Sequence, residues 1–169
     1  ISGAGTVGPG NSPGILTAPS VDGSGGLDFV FEITQALPDF ADAANSGNDL
    51  LRLTDATPFL FALDSNNTVT VDFSGLTPAE GIYLGGFYVD SGDFLSEIEN
   101  ANFQFVGLSG FEVSVSTIQQ VANFDGGVSN GYITRFTVTA IPEPGSVALV
   151  LLSSLGLLAW RRRGLAARV

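Results

Sequence analysis

The sequence predicts an all-β fold, either an antiparallel β-sandwich or a β domain that caps a β-solenoid, followed by a single C-terminal transmembrane helix. Three observations carry that expectation. Between residues 27 and 140, apolar residues recur at every second position in several short runs, the period at which side chains return to one face of a strand. Clusters of Asp, Asn, Ser and Gly at 64–67, 90–93 and 125–131 separate those runs, as turns between short strands do. Residues 146–160 carry no charge and are followed directly by three arginines, the pattern of a lipid-seeking helix with a basic flank.

The first 26 residues, ISGAGTVGPGNSPGILTAPSVDGSGG, read by composition as turns and linker. Two short apolar pieces, Thr6-Val7 and Ile15-Leu16-Thr17, flank GPGNSPG. That spacing also fits one rung of a stacked β structure with a Gly/Asn/Pro corner. The chain opens on Ile1 with no basic flank and apolar run behind it, so no signal peptide is legible and N-terminal material is expected upstream.

Residues 27–140 form the predicted β domain. In LDFVFEIT, Leu27, Phe29, Phe31 and Ile33 share one face. Val69, Val71 and Phe73 repeat the pattern. Residues 81–90, GIYLGGFYVD, are apolar almost throughout, which predicts a central strand or one crossing between sheets. Phe103 and Phe105 alternate, as do Phe111, Val113 and Val115. Tyr132, Thr134, Phe136, Val138 and Ala140 close the set. A short helix is expected at Asp93–Asn100, with Asp93 as its cap and Leu95 and Ile98 three apart. Residues 39–44 read as a second short helix or a polar loop. Thirteen Phe against one Trp and no Met predict a core of rigid rings.

Composition removes several function classes. There are 17 acidic residues, six Arg and no Lys, for a net charge of −11. Four of the arginines (Arg161, Arg162, Arg163 and Arg168) lie in the last ten residues. The acidic domain ahead of them repels nucleic acid, which needs clustered cations. Its charge serves solubility, or some carboxylates hold a divalent cation such as calcium. With no Cys and no His, the chain alone cannot supply disulfides, zinc–thiolate sites, or a catalytic triad or dyad.

From Ile141 the sequence runs IPEPGSVALVLLSSLGLLAWRRRGLAARV. Neither Pro142 nor Pro144 donates a backbone hydrogen bond, and each pushes the preceding residue towards an extended conformation. Pro142-Glu143-Pro144 is therefore a stiff exposed spacer that a processing enzyme can grip. Ser146 can cap the helix that follows. Residues 146–160 as helix span roughly 22 Å, short of a bilayer core of about 30 Å. Trp160 at the interface and snorkelling arginines extend that reach. Arg161, Arg162 and Arg163 keep their end cytoplasmic and leave the acidic domain outside. Judged on physics alone, an uncleaved single-span anchor fits the same residues.

The order of Pro142-Glu143-Pro144, the apolar stretch 146–160 and Arg161–Arg163 at the chain end resembles the PEP-CTERM sorting signal of Gram-negative bacteria. Gly164–Val169 extend past that pattern. The resemblance implies an exosortase as processing partner, inner-membrane anchoring before cleavage near the tripeptide, and release or re-attachment at the cell surface. It also implies an association with exopolysaccharide and biofilm. Residues 5–14, GTVGPGNSPG, resemble the end of autotransporter-associated β-strand repeats, and 27–34 and 49–53 resemble the extended pieces that follow. That likeness implies a solenoid upstream, with residues 21–140 as its distal unit. The expected organisation is thus 1–26 as a last rung and linker, 27–140 as an acidic extracellular domain and 141–169 as the sorting signal.

Carboxylates are the one catalytic currency left. Asp90 with Asp93, Glu97 with Glu99, and Asp22 with Asp28 are pairs close in sequence, but most sit where Asp caps turns. Asp64-Ser65-Asn66-Asn67 and Asp90-Ser91-Gly92-Asp93 offer oxygens to calcium without matching an EF-hand. Tyr83, Phe87, Tyr88 and Tyr132 are candidate sugar-stacking rings, or strand core. The expected function is a non-enzymatic exported surface or matrix protein with no catalytic residues. The alternative is a secreted calcium-dependent carbohydrate-binding module or glycosidase accessory domain.

Overall fold

Alternation of apolar and polar residues becomes nine strands in the computed structural model, which describes residues 1–9, 14–36, 47–55, 63–90, 92–124 and 127–142. The helix-or-loop segment at 39–44 and the transmembrane helix expected over 146–160 lie outside the described residues. Among those residues, no helix is long and apolar enough to cross a membrane. The chain divides into two units, Ile1–Thr139 and Ala140–Val169.

The strands are β1 (Gly5–Val7), β2 (Ile15–Ala18), β3 (Leu27–Glu32), β4 (Leu50–Leu53), β5 (Thr68–Asp72), β6 (Gly81–Val89), β7 (Asn102–Val106), β8 (Phe111–Phe124) and β9 (Gly127–Ala140). A short helix, α1 (Leu95–Ile98), precedes β7, within the stretch expected to be helical. Odd-numbered strands up to β7 form one sheet in the order β1-β3-β5-β7. The other strands form a second sheet in the order β2-β4-β6-β9-β8. Up to β7 the chain therefore passes back and forth between two sheets and advances one strand in each per circuit. Thr6-Val7 and Ile15-Leu16-Thr17 become β1 and β2, the first such circuit.

Pairing direction corrects the expected antiparallel sandwich. Gly5 pairs with Leu27, Phe29 with Val69 and Thr68 with Asn102, all in parallel. Ile15 pairs with Leu50, and Leu50 with Gly86, also in parallel. Antiparallel pairing enters with β9 against β6, where Gly81 meets Val138 and Val89 meets Tyr132. The reason the sequence misleads is physical. Parallel strands usually lie buried on both faces and lose their alternation. Here the first sheet turns one face to the second and much of its opposite face to water, so β3 keeps a buried-exposed alternation that normally marks antiparallel sheets.

Between the sheets, Phe29, Phe31, Val69, Val71 and Phe73 meet Leu51, Leu53, Phe87, Val89 and Phe136. The Phe87 ring stands edge-on to Phe29 and Phe31, with centroids 5.1 and 5.0 Å away. Phe73 meets Tyr83 and Phe136 the same way. Such edge-to-face contacts add to the burial of the rings themselves.

A second core covers the outer face of β4 and β6. It consists of Leu50, Leu84, Tyr88, Ala122, Phe124 and Ile133. Ala122, Phe124 and Ile133 come from β8 and β9, whose ends fold over that face. Phe124 packs edge-on to Tyr88 at 5.0 Å. The Tyr88 hydroxyl donates to the Gln120 carbonyl at 2.9 Å and accepts from the Gly131 amide at 2.9 Å. A Cβ at position 131 would stand 2.3 Å from the Val89 carbonyl oxygen, so only glycine lets β9 pass there. This cover explains why β6 is buried on both faces and reads as an apolar run. Gly86, at φ +80°, takes up the irregularity between Leu84 and Tyr88 in the pairing with β9.

Candidate functional site

Strand β9 determines where the segment Pro142-Glu143-Pro144 begins. It runs unbroken from Gly127 to Ala140 between β6 and β8. It stops there because Pro142 has no amide to give a neighbouring strand. Thr139, Ala140, Ile141 and Pro142 are all exposed, and Ile141 keeps 46% of its surface in water. The described chain thus leaves its last strand and reaches Pro142 through one intervening residue. Glu143, Pro144 and the arginines Arg161, Arg162 and Arg163 lie outside the described residues.

The carboxylates singled out as possible ligands or catalysts engage protein groups. Asp64 accepts from the Asn66 amide at 2.7 Å and from the Asn66 side chain at 3.2 Å, an Asx turn. Asp90 takes the Arg52 guanidinium on both oxygens, from Nε at 3.2 Å and from Nη2 at 2.8 Å, and also accepts from the Ser129 hydroxyl. The same guanidinium lies 4.0 Å from the centre of the Phe124 ring. Arg52 thereby ties Phe124 of β8 to the outer face of the second sheet. Asp93 accepts from the Leu95 amide at the start of α1 and from the Thr117 hydroxyl, but the cap position expected at Asp93 is taken by Phe94, whose side chain makes no capping hydrogen bond.

The remaining pairs behave likewise. Asp22 accepts from the Ser24 amide at 3.0 Å, and its hydrogen bonding with Ser24 lowers its pKa. Asp28 accepts from the Thr68 amide, and Glu97 from the Ser96 hydroxyl. Among the described residues no three acidic side chains gather as a metal-holding group. Of the candidate sugar-stacking rings, Tyr83, Phe87 and Tyr88 are buried in the two cores and Tyr132 is half-buried. The strand-core reading holds for those three, because their strand has no wet face.

Two buried polar residues, Asn48 and Asp49, have no role in the sequence reading, and a third, Asn67, is read there as an oxygen for calcium. The Asn48 amide group donates to the carbonyls of Gln35 and Leu84 at 2.8 and 2.7 Å, and its oxygen accepts from the amides of Thr34 and Gln35. Asn67 donates to the carbonyls of Gly23 and Leu27 and accepts from the Asp64 amide. Asp49 accepts from the amides of Gly14 and Glu32, each at 2.8 Å, joining the approach to β2 with the end of β3. Burial pushes the Asp49 carboxyl above its ordinary range, against the pull of those two amides. The one signal for Asp49 was its place next to Leu50 and Leu51. Asn67, read from the sequence as a turn residue offering its oxygen to calcium, instead commits its side chain to backbone groups.

Compared with protein-family models, residues 140–163 match the PEP-CTERM protein-sorting motif. The match starts at the final residue of β9 and ends on Arg163. It encloses both Pro142-Glu143-Pro144 and Arg161–Arg163, the residues picked out from the sequence. Comparison with curated proteins and with solved structures gives no match to this chain.

Proposed function

With a PEP-CTERM protein-sorting motif at residues 140–163, and the export and exosortase-dependent sorting that this motif implies, we propose that the chain is a non-enzymatic surface or matrix protein. In this reading the exosortase of a Gram-negative bacterium cuts near Pro142-Glu143-Pro144. The apolar stretch 146–160 holds the precursor in the inner membrane until then, with Arg161–Arg163 on the cytoplasmic side. The β unit is then delivered to the cell surface or to an extracellular polymer, with exopolysaccharide as its expected surrounding.

One observation supports this most. The motif begins where β9 is already complete, and the residues leading into it are exposed. Cutting beyond Pro142 leaves all nine described strands in the released part. The absence of His and Cys and the engagement of Asp22, Asp64, Asp90 and Asp93 with protein groups support the non-catalytic reading.

The test is expression of the full chain in cells with and without the exosortase, followed by fractionation and intact mass. With the enzyme, the expected product lacks the tail and leaves the inner membrane. Without it, the full-length chain stays in the membrane fraction. An uncut chain of equal mass and location in both strains would sink the reading.

A further inference from the structure

Asn130-Gly131 is the one Asn-Gly step in the sequence, and its two halves sit in opposite surroundings. Asn130 is exposed, and its side-chain oxygen accepts from the Gln119 side-chain amide at 3.1 Å. Gly131 is buried, and its backbone N–H donates to the Tyr88 hydroxyl at 2.9 Å. No larger residue fits there, since a Cβ would run into the Val89 carbonyl oxygen and stand 2.8 Å from the Tyr88 ring. The passage of β9 over Tyr88 therefore sets behind Asn130 the residue that shields its own backbone nitrogen least.

We propose that Asn130 is a modification site, converted by water to aspartate and isoaspartate through a cyclic imide, with the Tyr88 hydroxyl as its guard. The Gly131 nitrogen gives up its proton and attacks Asn130 Cγ. A bond forms between that nitrogen and Cγ, the Cγ–Nδ2 bond breaks, and Nδ2 leaves with the proton as ammonia. Water then opens the imide. Attack at Cγ gives aspartate, and attack at the main-chain carbonyl of residue 130 gives isoaspartate. Two features restrain the first step in the folded chain. The hydrogen bond to Tyr88 favours the protonated nitrogen over the nucleophile. In a strand the Asn130 side chain also stands off the sheet while the next amide lies in its plane, so ring closure requires β9 to lift from Tyr88. Conversion therefore records openings of the hairpin tip. Isoaspartate lengthens the β9 backbone where it crosses Tyr88, and either product adds a carboxylate to an acidic chain, so a converted tip closes less well. This chemistry goes beyond sorting and does not depend on it.

The test ages the full-length chain in detergent at mildly alkaline pH and reads acid in place of amide at position 130 by peptide mass. Wild type unfolded in urea gives the unguarded rate. Folded wild type is expected to be slowest, and Tyr88→Phe about tenfold faster than it, the gain in opening when one buried hydrogen bond is lost. A second measurement needs no variant: in wild type at urea below its midpoint, conversion should rise together with amide exchange at Gly131. Aged wild type should exchange faster over residues 120–131, and Asn130→Ser aged alongside should not. Folded wild type converting as fast as the unfolded chain, equal rates in wild type and Tyr88→Phe, or conversion that stays flat while Gly131 exchange rises would overturn the proposal.

Discussion

At the scale of single residues, buried polar groups do more to define this fold than any charged cluster. Asn48 ties four backbone groups at 1% exposure. Asn48→Ala strands those groups in a dry corner, and each buried unsatisfied group costs about 1–3 kcal/mol. The expected loss is about 3 kcal/mol or more, read as a lower urea midpoint. Asp49 gives a pH signature. Burial raises its folded pKa above the unfolded value, so the folded state holds the proton more tightly. The stability it contributes is full below the ordinary carboxylate range of about 4 and is lost as pH rises through the folded pKa. Urea titrations from pH 3 to 7 should show the stability of wild type relative to Asp49→Asn declining as pH rises, and a gap that widens instead would contradict the assignment. None of this was legible in the sequence, because an Asn or Asp beside Gly and Ser reads the same whether it caps a wet turn or closes a dry one.

At the scale of elements, the positions of the strands were readable and their directions were not. The two-residue period located β3, β5, β7, the first part of β8 and the later part of β9, whereas Gly127–Gly131, expected to lie in a turn, already belongs to β9 because its small polar residues pair as readily in a ladder as they turn. The apolar run 81–90 reads as a central strand or one crossing between sheets, and β6 is central; the helix cap expected at Asp93 falls instead on Phe94. Parallel pairing escaped because a strand with one wet face alternates whichever way its neighbour runs. The fold of β8 and β9 over the second sheet escaped as well, since it depends on one tyrosine hydroxyl and one glycine far apart in sequence. That docking can be tested directly. Tyr88→Phe removes the hydroxyl that meets Gln120 and Gly131, and should cost about 1–3 kcal/mol with amide exchange quickening around residues 120–131. Phe87→Ala empties a site enclosed by Phe29 and Phe31 and should cost about 3–5 kcal/mol in the same urea assay.

At the scale of the whole molecule, the segment that governs sorting is the part most plainly written in the sequence. Pro142-Glu143-Pro144, an uncharged stretch and Arg161–Arg163 form a linear pattern that needs no folding to be seen, and the family match covers the same residues. The complete β unit ahead of it gives a further expected outcome. A chain ended after Ile141 should unfold at the same urea midpoint as the full chain in detergent, because all nine strands among the described residues precede the cut. A lowered midpoint would mean that the tail contributes to the fold.

Strand β9 also sets the mechanics of any tether attached behind it. Tension at the C-terminus enters through Ala140 and loads a strand flanked on both sides, by β6 and by β8. Drawn lengthwise, that strand must break its ladders together instead of unzipping them singly. A domain hung from this end in flowing water would carry drag on its best-braced element.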